Sequence, residues 1–211
     1  MLKPFFLKAV TVAALALATS VAQAQTETIE FGKTTVTLDP GFVSALSSLR
    51  LTLGVIEPSR AKLTQGRVSF PAVAGAIDLA TAKGEIIHSS GLTLSSGTTM
   101  VRLQSFTIDT TGAAGGLVLT GLVTVDGKLA GRLPLFNLQL PAGFAVPLQP
   151  SRAGILRLSG VGLTLNATAA AALNSVFKTN ALPTTGKFPV GTADVSVFVG
   201  LGHPSDDDDR N

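Results

Sequence analysis

The chain contains no cysteine, no tryptophan and no tyrosine, and it has two histidines and two methionines in 211 residues. Without cysteine there are no disulfides, no thiolate metal sites, no Cys nucleophile and no lipid attachment at a cleavage-site cysteine. Without Trp and Tyr the aromatic platforms on which single-stranded nucleic acids stack are missing. Lys and Arg are scattered singly, as at Arg67, Arg102, Arg132 and Arg157, so there is no phosphate-tracking stripe either. Nucleic acid is not an expected partner. The same aromatic deficit argues against a membrane-spanning barrel, whose interfaces carry Trp and Tyr girdles.

What the chain does have begins with a targeting pattern. Lys3 and Lys8 precede an apolar stretch from Ala9 to Ala18, and Ala22-Gln23-Ala24 supplies the small-x-small site cut by signal peptidase. The apolar stretch is shorter than the roughly 20 residues of a spanning helix, and no second one follows. The expectation is a cleaved leader over 1–24, a single β-rich domain over 25–203 and an acidic, disordered tail over 204–211, with no membrane span after cleavage and a secreted or periplasmic location. Loss of Lys3 and Lys8 leaves 14 basic against 13 acidic residues, so the basic character of the whole chain comes largely from the leader.

Between Gly66 and Leu140, short blocks of Val, Ile, Thr, Leu and Phe alternate with Gly, Ser and Asp, the pattern of half-buried strands joined by tight turns. Glu85 to Ser95 reads as one long strand with Ile86, His88, Leu92 and Leu94 in phase. The apolar phase of the returning strand, Thr98 to Asp109, shifts between Leu103 and Phe106, which predicts a bulge. Asp126-Gly127 is the strongest hairpin signal, and Pro134 places its strand at an edge or a bulge. Pro141 to Arg152 is a Pro-rich crossing segment.

Two short helices flank this block. Asp39 and Pro40 make an N-cap and first-turn pair ahead of Phe42, Val43, Leu46 and Leu49, with Gly54 as the expected stop. Asn166 stands in the same place ahead of a helix over Ala169 to Phe177, whose expected apolar face is Leu173, Val176 and Phe177. Each helix leads to a Gly-basic-…-Phe-Pro strand start, at Gly66-Arg67 and Gly186-Lys187. This reads as a weak internal repeat of strand, capped helix and strand. The fold expected is mainly β, a two-layer antiparallel β-sandwich-like sheet with two short α-helices.

Gly66-Arg67-Val68-Ser69-Phe70, followed by Gly75-Ala76-Ile77-Asp78-Leu79 and a long β-meander, resembles the G-x-V-x-F…G-x-L-D-L core of the HtaA family of bacterial haem-uptake domains. The likeness spans Thr34 to Leu140. It implies a sheet-rich extracytoplasmic binding module. In that family haem is held through a tyrosine assisted by a histidine; this chain has no tyrosine, so no ligand position carries over.

Few groups could carry chemistry. His88 is the one histidine of the sheet block, and a neutral imidazole can ligate a metal or haem iron. Met100 is a possible soft ligand. Both are candidate ligand-binding residues, and both also fit ordinary structural packing. His203 beside Asp206 to Asp209 resembles a loose metal-binding tail but fits a solvated terminus better. Leu182-Pro183-Thr184-Thr185-Gly186 spells a sortase signal without the apolar run that must follow it, and the sequon Asn166-Ala167-Thr168 is better explained by helix capping. No G-x-S-x-G elbow and no phosphate loop occur. The function expected is that of an exported, non-catalytic, HtaA-like binding module for an apolar small molecule or haem-related ligand, with no cofactor or metal site assigned. A structural or adhesive cell-surface protein and a periplasmic carrier of a hydrophobic ligand are the alternatives, with a surface protein as partner in the adhesive case.

Overall fold

The computed structural model describes residues 26–200; the leader expected over 1–24, His203 and the acidic segment 204–211 lie outside the described residues. In chain order the elements are β1 (Thr26–Leu38), α1 (Pro40–Ser48), β2 (Thr52–Ile56), β3 (Arg60–Lys62), a 3-10 turn (Leu63–Gln65), β4 (Arg67–Asp78), β5 (Gly84–His88), β6 (Gly91–Ser96), β7 (Thr99–Asp109), β8 (Val118–Val125), β9 (Lys128–Gln139), β10 (Ile155–Leu165), α2 (Ala167–Val176) and β11 (Phe188–Gly200).

The strands are all antiparallel to their neighbours, and eight of them close into a barrel in the order β7-β5-β4-β1-β11-β10-β9-β8, with β8 bonded back to β7. The chain is therefore mainly β with two helices, as its composition implies, but the sheet is a barrel in place of the expected two-layer sandwich. A sandwich needs an unbonded break between two sheets, and here the ladder runs unbroken around the ring. Closure depends on the bend in β7. Its register slips between Gln104 and Thr107, Ser105 takes a positive φ of 53°, and the Arg132 guanidinium donates to the Ser105 carbonyl at 3.0 Å from the outer wall. The bulge expected between Leu103 and Phe106 is this one.

The long strand expected over Glu85 to Ser95 is split in two. Ser90, at φ 78°, separates β5 from β6. The first piece pairs with β4, and the second leaves the ring to pair with β2. Both pieces stay bonded to one edge of β7, so the inward phase of Ile86, His88, Leu92 and Leu94 survives the break, and all four are buried. A hydroxyl–hydroxyl bond between Ser59 and Ser90 ties the β2–β3 connection to the branch.

Both helices sit at one end of the barrel. Asp39 accepts hydrogen bonds from the amides of Gly41 and Phe42, and Asn166 accepts one from Thr168, so the capping residues act as their sequence positions predict. α1 turns its buried Phe42 and Leu46 to the core and leaves Val43 exposed. It ends before Gly54, which lies in β2, because Arg50 takes the left-handed conformation right after the last turn. α2 starts two residues earlier than expected; its fully buried residues are Ala169 and Ala170, with Leu173, Val176 and Phe177 partly buried against the core. The two strand–helix–strand units share the antiparallel return of the second strand beside the first, though β2, β3 and the 3-10 turn stand between α1 and β4 and nothing comparable stands between α2 and β11. After α1, β4 returns antiparallel beside β1, and after α2, β11 returns beside β10.

The polar lead Thr26 to Gly32 is the first half of β1. It is held between β4 and β11 on both edges, and a bulge between Ile29 and Phe31 resets its phase so that Ile29, Thr34 and Val36 all point inward. Asp126 and Gly127, at φ 49° and 80°, form the expected hairpin turn. Pro134 lies beside a bulge of β9, on the stretch that β10 leaves unpaired.

Candidate functional site

An eight-stranded barrel has an interior just wide enough either to fill with side chains or to hold one small ligand. Here it is only partly filled. The Phe70 and Phe106 rings meet edge to face across the middle, with centroids 5.2 Å apart at 84°, and divide the interior into two chambers. Gly121 on β8 makes room for this contact, since a Cβ there would lie 2.7 Å from a Leu135 methyl and 2.9 Å from the Phe106 ring. Val36, Leu119 and Leu163 border both chambers.

The chamber toward the helices measures about 140 Å³, and its wall, built from residues such as Leu94, Leu103, Val123, Leu173 and Val176, is wholly apolar. The chamber toward the loops is larger, about 230 Å³, bounded by Ile86, Ile108 and Leu156 and roofed by Phe144 and Leu148. Those last two come from the Pro-rich crossing segment between β9 and β10, which is tied to the β4–β5 turn by a hydrogen bond from the Leu148 amide to the Leu79 carbonyl at 2.6 Å. Lys83, on that turn, is the one ionised side chain along this chamber among the described residues, and it stands exposed at the rim.

His88 faces into the larger chamber. It closes β5 opposite Ala72 of β4, is 2% exposed, and its Nε2 lies 2.8 Å from the Thr34 hydroxyl. Thr34 is equally buried, on β1, the strand beyond β4. The other ring nitrogen, Nδ1, has no hydrogen-bond partner. Burial pushes the His88 pKa from 6.5 down to about 4; the backbone at Phe106 and Ile86 pulls the other way, though neither reaches hydrogen-bond geometry at Nδ1. The imidazole is therefore neutral at pH 7. Met100 is on the opposite side of the wall, 43% exposed near the Asp126-Gly127 turn, where its amide donates to the Asp126 carboxylate at 2.8 Å. The structure does not bring the two candidate residues together.

The HtaA-like motif is one strand of this site. Gly66, at φ 62°, turns the chain into β4, whose Val68 and Phe70 point inward, while Ile77 and Leu79 are buried at its far end. No family model matches the sequence, and no curated protein matches it significantly. Solved structures do match. The crystal structure of the C-terminal domain of HtaA from Corynebacterium glutamicum aligns with a TM-score of 0.57 over 82% of this chain and 99% of that one, at 16% identity. In fold, the chain resembles that HtaA domain. A domain-swapped dimer of the H434A variant of the same domain aligns with a TM-score of 0.51 over 77% of this chain and 94% of that one, at 17% identity. The likeness to HtaA thus extends well beyond Thr34 to Leu140.

The interior does not fit haem. At about 230 Å³ the larger chamber is below the roughly 300–1,000 Å³ of pockets for drug-sized ligands, and a porphyrin is larger still. The Nε2 of His88 is already engaged by Thr34, and no tyrosine exists to replace it. Among the described residues no group of three or more His, Asp or Glu side chains could hold a metal ion, and no helix is long and apolar enough to cross a membrane. The barrel is also apolar inside and studded outside with Lys33, Glu85, Arg102, Arg132 and Arg157, all exposed. A membrane-spanning barrel has the reverse polarity.

Thr34 and the Phe70–Phe106 pair were not singled out as site residues by sequence. Their strands are plain in the alternation of apolar residues, but the register of β1 on β4 and of β4 on β5, which sets Thr34 beside His88, is not a local signal.

Proposed function

We propose that the protein is an exported, non-catalytic binding module that carries an apolar small molecule inside its barrel, in the chamber toward the loops. The observation that supports this reading best is an unfilled, almost wholly apolar chamber of about 230 Å³ inside the barrel, beside the smaller one of about 140 Å³. Protein interiors normally leave few voids larger than a water molecule. Empty apolar cavities of about 150 Å³ stay dry and take up benzene. The reading also draws on the fold shared with the HtaA domain, and it favours an apolar ligand over the haem that the family resemblance implies. Export rests on the leader-like pattern of 1–24.

Titration of the folded protein with the uncharged fluorophore 1-aminoanthracene tests it. A saturable rise in emission, reversed by a competing apolar molecule, is expected. Lack of any saturable signal, together with no co-purifying ligand in native mass spectrometry, would refute the carrier reading.

A second reading, an adhesive or self-associating surface, is favoured by Phe31, which is 59% exposed on the outer wall and stacks on its register partner Phe198 at 5.0 Å, with Val73 also exposed nearby on the adjoining strand. It requires a concentration-dependent sedimentation coefficient that Phe31→Ser abolishes.

A further inference from the structure

We infer that the ligand of the larger chamber is amphipathic, with an apolar body inside the barrel and a single carboxylate left at the mouth, where Lys83 pairs with it. The inference rests on the carrier reading above and adds the chemical class of the cargo to it.

The polar residues that border this chamber fall into two groups. Thr34 and His88 are buried and bonded to each other, and the imidazole is neutral, so the buried wall carries no charge. The others, Thr81, Lys83 and Thr110, gather at the end where the β4–β5 turn meets the crossing segment. Thr110 is fastened to that turn, its hydroxyl donating to the Ala82 carbonyl at 2.7 Å. Lys83 is exposed there, and among the described residues it makes no ion pair. The nearby carboxylates are engaged elsewhere. Asp78 accepts from the amides of Ala80 and Thr81, and Asp109 from the amide and hydroxyl of Thr111. Glu85 is on the outer wall, out of phase with the inward Ile86. None of the three borders the chamber.

A lysine that borders an apolar space and also stands in solvent can lay its stem along the wall and keep its ammonium in water. A ligand carboxylate at the mouth therefore meets a cation while still hydrated. Farther in, the same carboxylate would lose its hydration without gaining a countercharge, which is prohibitively costly in an apolar interior. The Thr81 hydroxyl accepts a long bond from the Lys83 amide, at 3.4 Å, and keeps its proton for the same carboxylate. One ammonium and one hydroxyl match a single negative charge; a cationic ligand would be repelled, and an uncharged one would gain nothing from Lys83. At about 230 Å³ the chamber exceeds the roughly 150 Å³ cavity that takes up benzene, so a body larger than one ring fits, such as a medium-length alkyl chain.

The test uses three probes with one apolar body and different charge: octanoate, octylammonium and 1-octanol. Each is titrated calorimetrically, at pH 7.5 and low salt, into the folded protein, into Lys83→Glu and into Lys33→Glu. Lys33 is exposed on the outer wall, so its replacement changes the net charge equally but away from the mouth. The wild type should prefer octanoate to octylammonium, and the ratio of the two affinities should fall by roughly five- to tenfold in Lys83→Glu, since each exposed charge pair gained or lost contributes modestly. In Lys33→Glu the ratio should stay at the wild-type value, and 1-octanol should bind all three proteins alike. Added salt should narrow the wild-type preference. If the ratio is the same in the wild type and Lys83→Glu, or if Lys33→Glu shifts it as far, the inference about Lys83 is overturned while the carrier reading stands. If none of the three probes binds the wild type, both are overturned. Should Lys83→Glu not fold, the wild type decides: an octanoate preference that salt erases supports the inference, and no preference at low salt overturns it.

Discussion

Acidification should weaken the wild-type protein through His88, and replacing that residue with leucine should remove this part of the pH dependence. In the folded state the ring is 2% exposed and its pKa lies near 4, against 6.5 when unfolded. Between these values the unfolded chain binds a proton that the native chain does not, so stability falls as pH falls. The contribution is intact above pH 6.5, declines as pH drops toward 4, and levels off below. A gap of about 2.5 units at 1.36 kcal/mol each corresponds to about 3 kcal/mol, a sizeable share of the 5–15 kcal/mol that stabilises a typical domain. Urea denaturation at pH 7.5, 6, 5 and 4, on wild type and His88→Leu in parallel, measures it. Carboxylate titration affects both proteins alike and cancels in the difference. His88→Leu should gain on the wild type by about 3 kcal/mol from pH 7.5 to pH 4. A difference that does not change with pH, or an NMR titration that puts the His88 pKa near 6.5, would refute the reasoning.

Phe106→Ala should cost about 3–5 kcal/mol and open the partition between the two chambers, so that a longer apolar probe binds the variant more tightly than the wild type; denaturation midpoints and probe titration check the two parts separately. Gly121→Ala should destabilise the wild type by about 1–3 kcal/mol, because its methyl meets the Phe106 ring and Leu135. In the Phe106→Ala background it should cost clearly less, and strictly additive effects in the double-mutant cycle would contradict the packing described. Asp39→Ala should lower stability by about 1 kcal/mol through loss of the α1 cap. Asn166→Ala should cost more by thermal melting, because the Asn166 side chain also donates to Asn137 at 2.7 Å.

Much of this fold is legible in the sequence wherever the signal is local. Asp39-Pro40, Asn166 and Asp126-Gly127 act through their own backbone, so the caps and the hairpin appear where expected. The phase shift before Phe106 marks the bulge because alternation itself records which face is buried. Two things are not local. The extended conformation of Thr26 to Gly32 comes from strands on both sides, β4 and β11, which lie far away in sequence. Closure into a barrel is set by hydrogen bonds between β7 and β8 and between β1 and β11, and a run of antiparallel strands reads alike whether it ends in a sandwich or a ring. Of the candidate site, His88 is visible as the one imidazole in an apolar phase. Its bond to Thr34 depends on register across β4, and Met100 shows that residue type without facing is a poor guide: it differs from the buried Val101 by one position and faces solvent.

The pairing of β1 with β11 brings Thr28 opposite Gly200, so the two ends of the described chain leave the barrel side by side. A short linker between them would join the ends, and new termini could be opened at the glycine-rich segment 112–116, where a Cβ at Gly112, Gly115 or Gly116 meets nothing within 4 Å. Such a circular permutant would keep every strand pairing around the ring while reversing the order in which its two helix-bearing units are made.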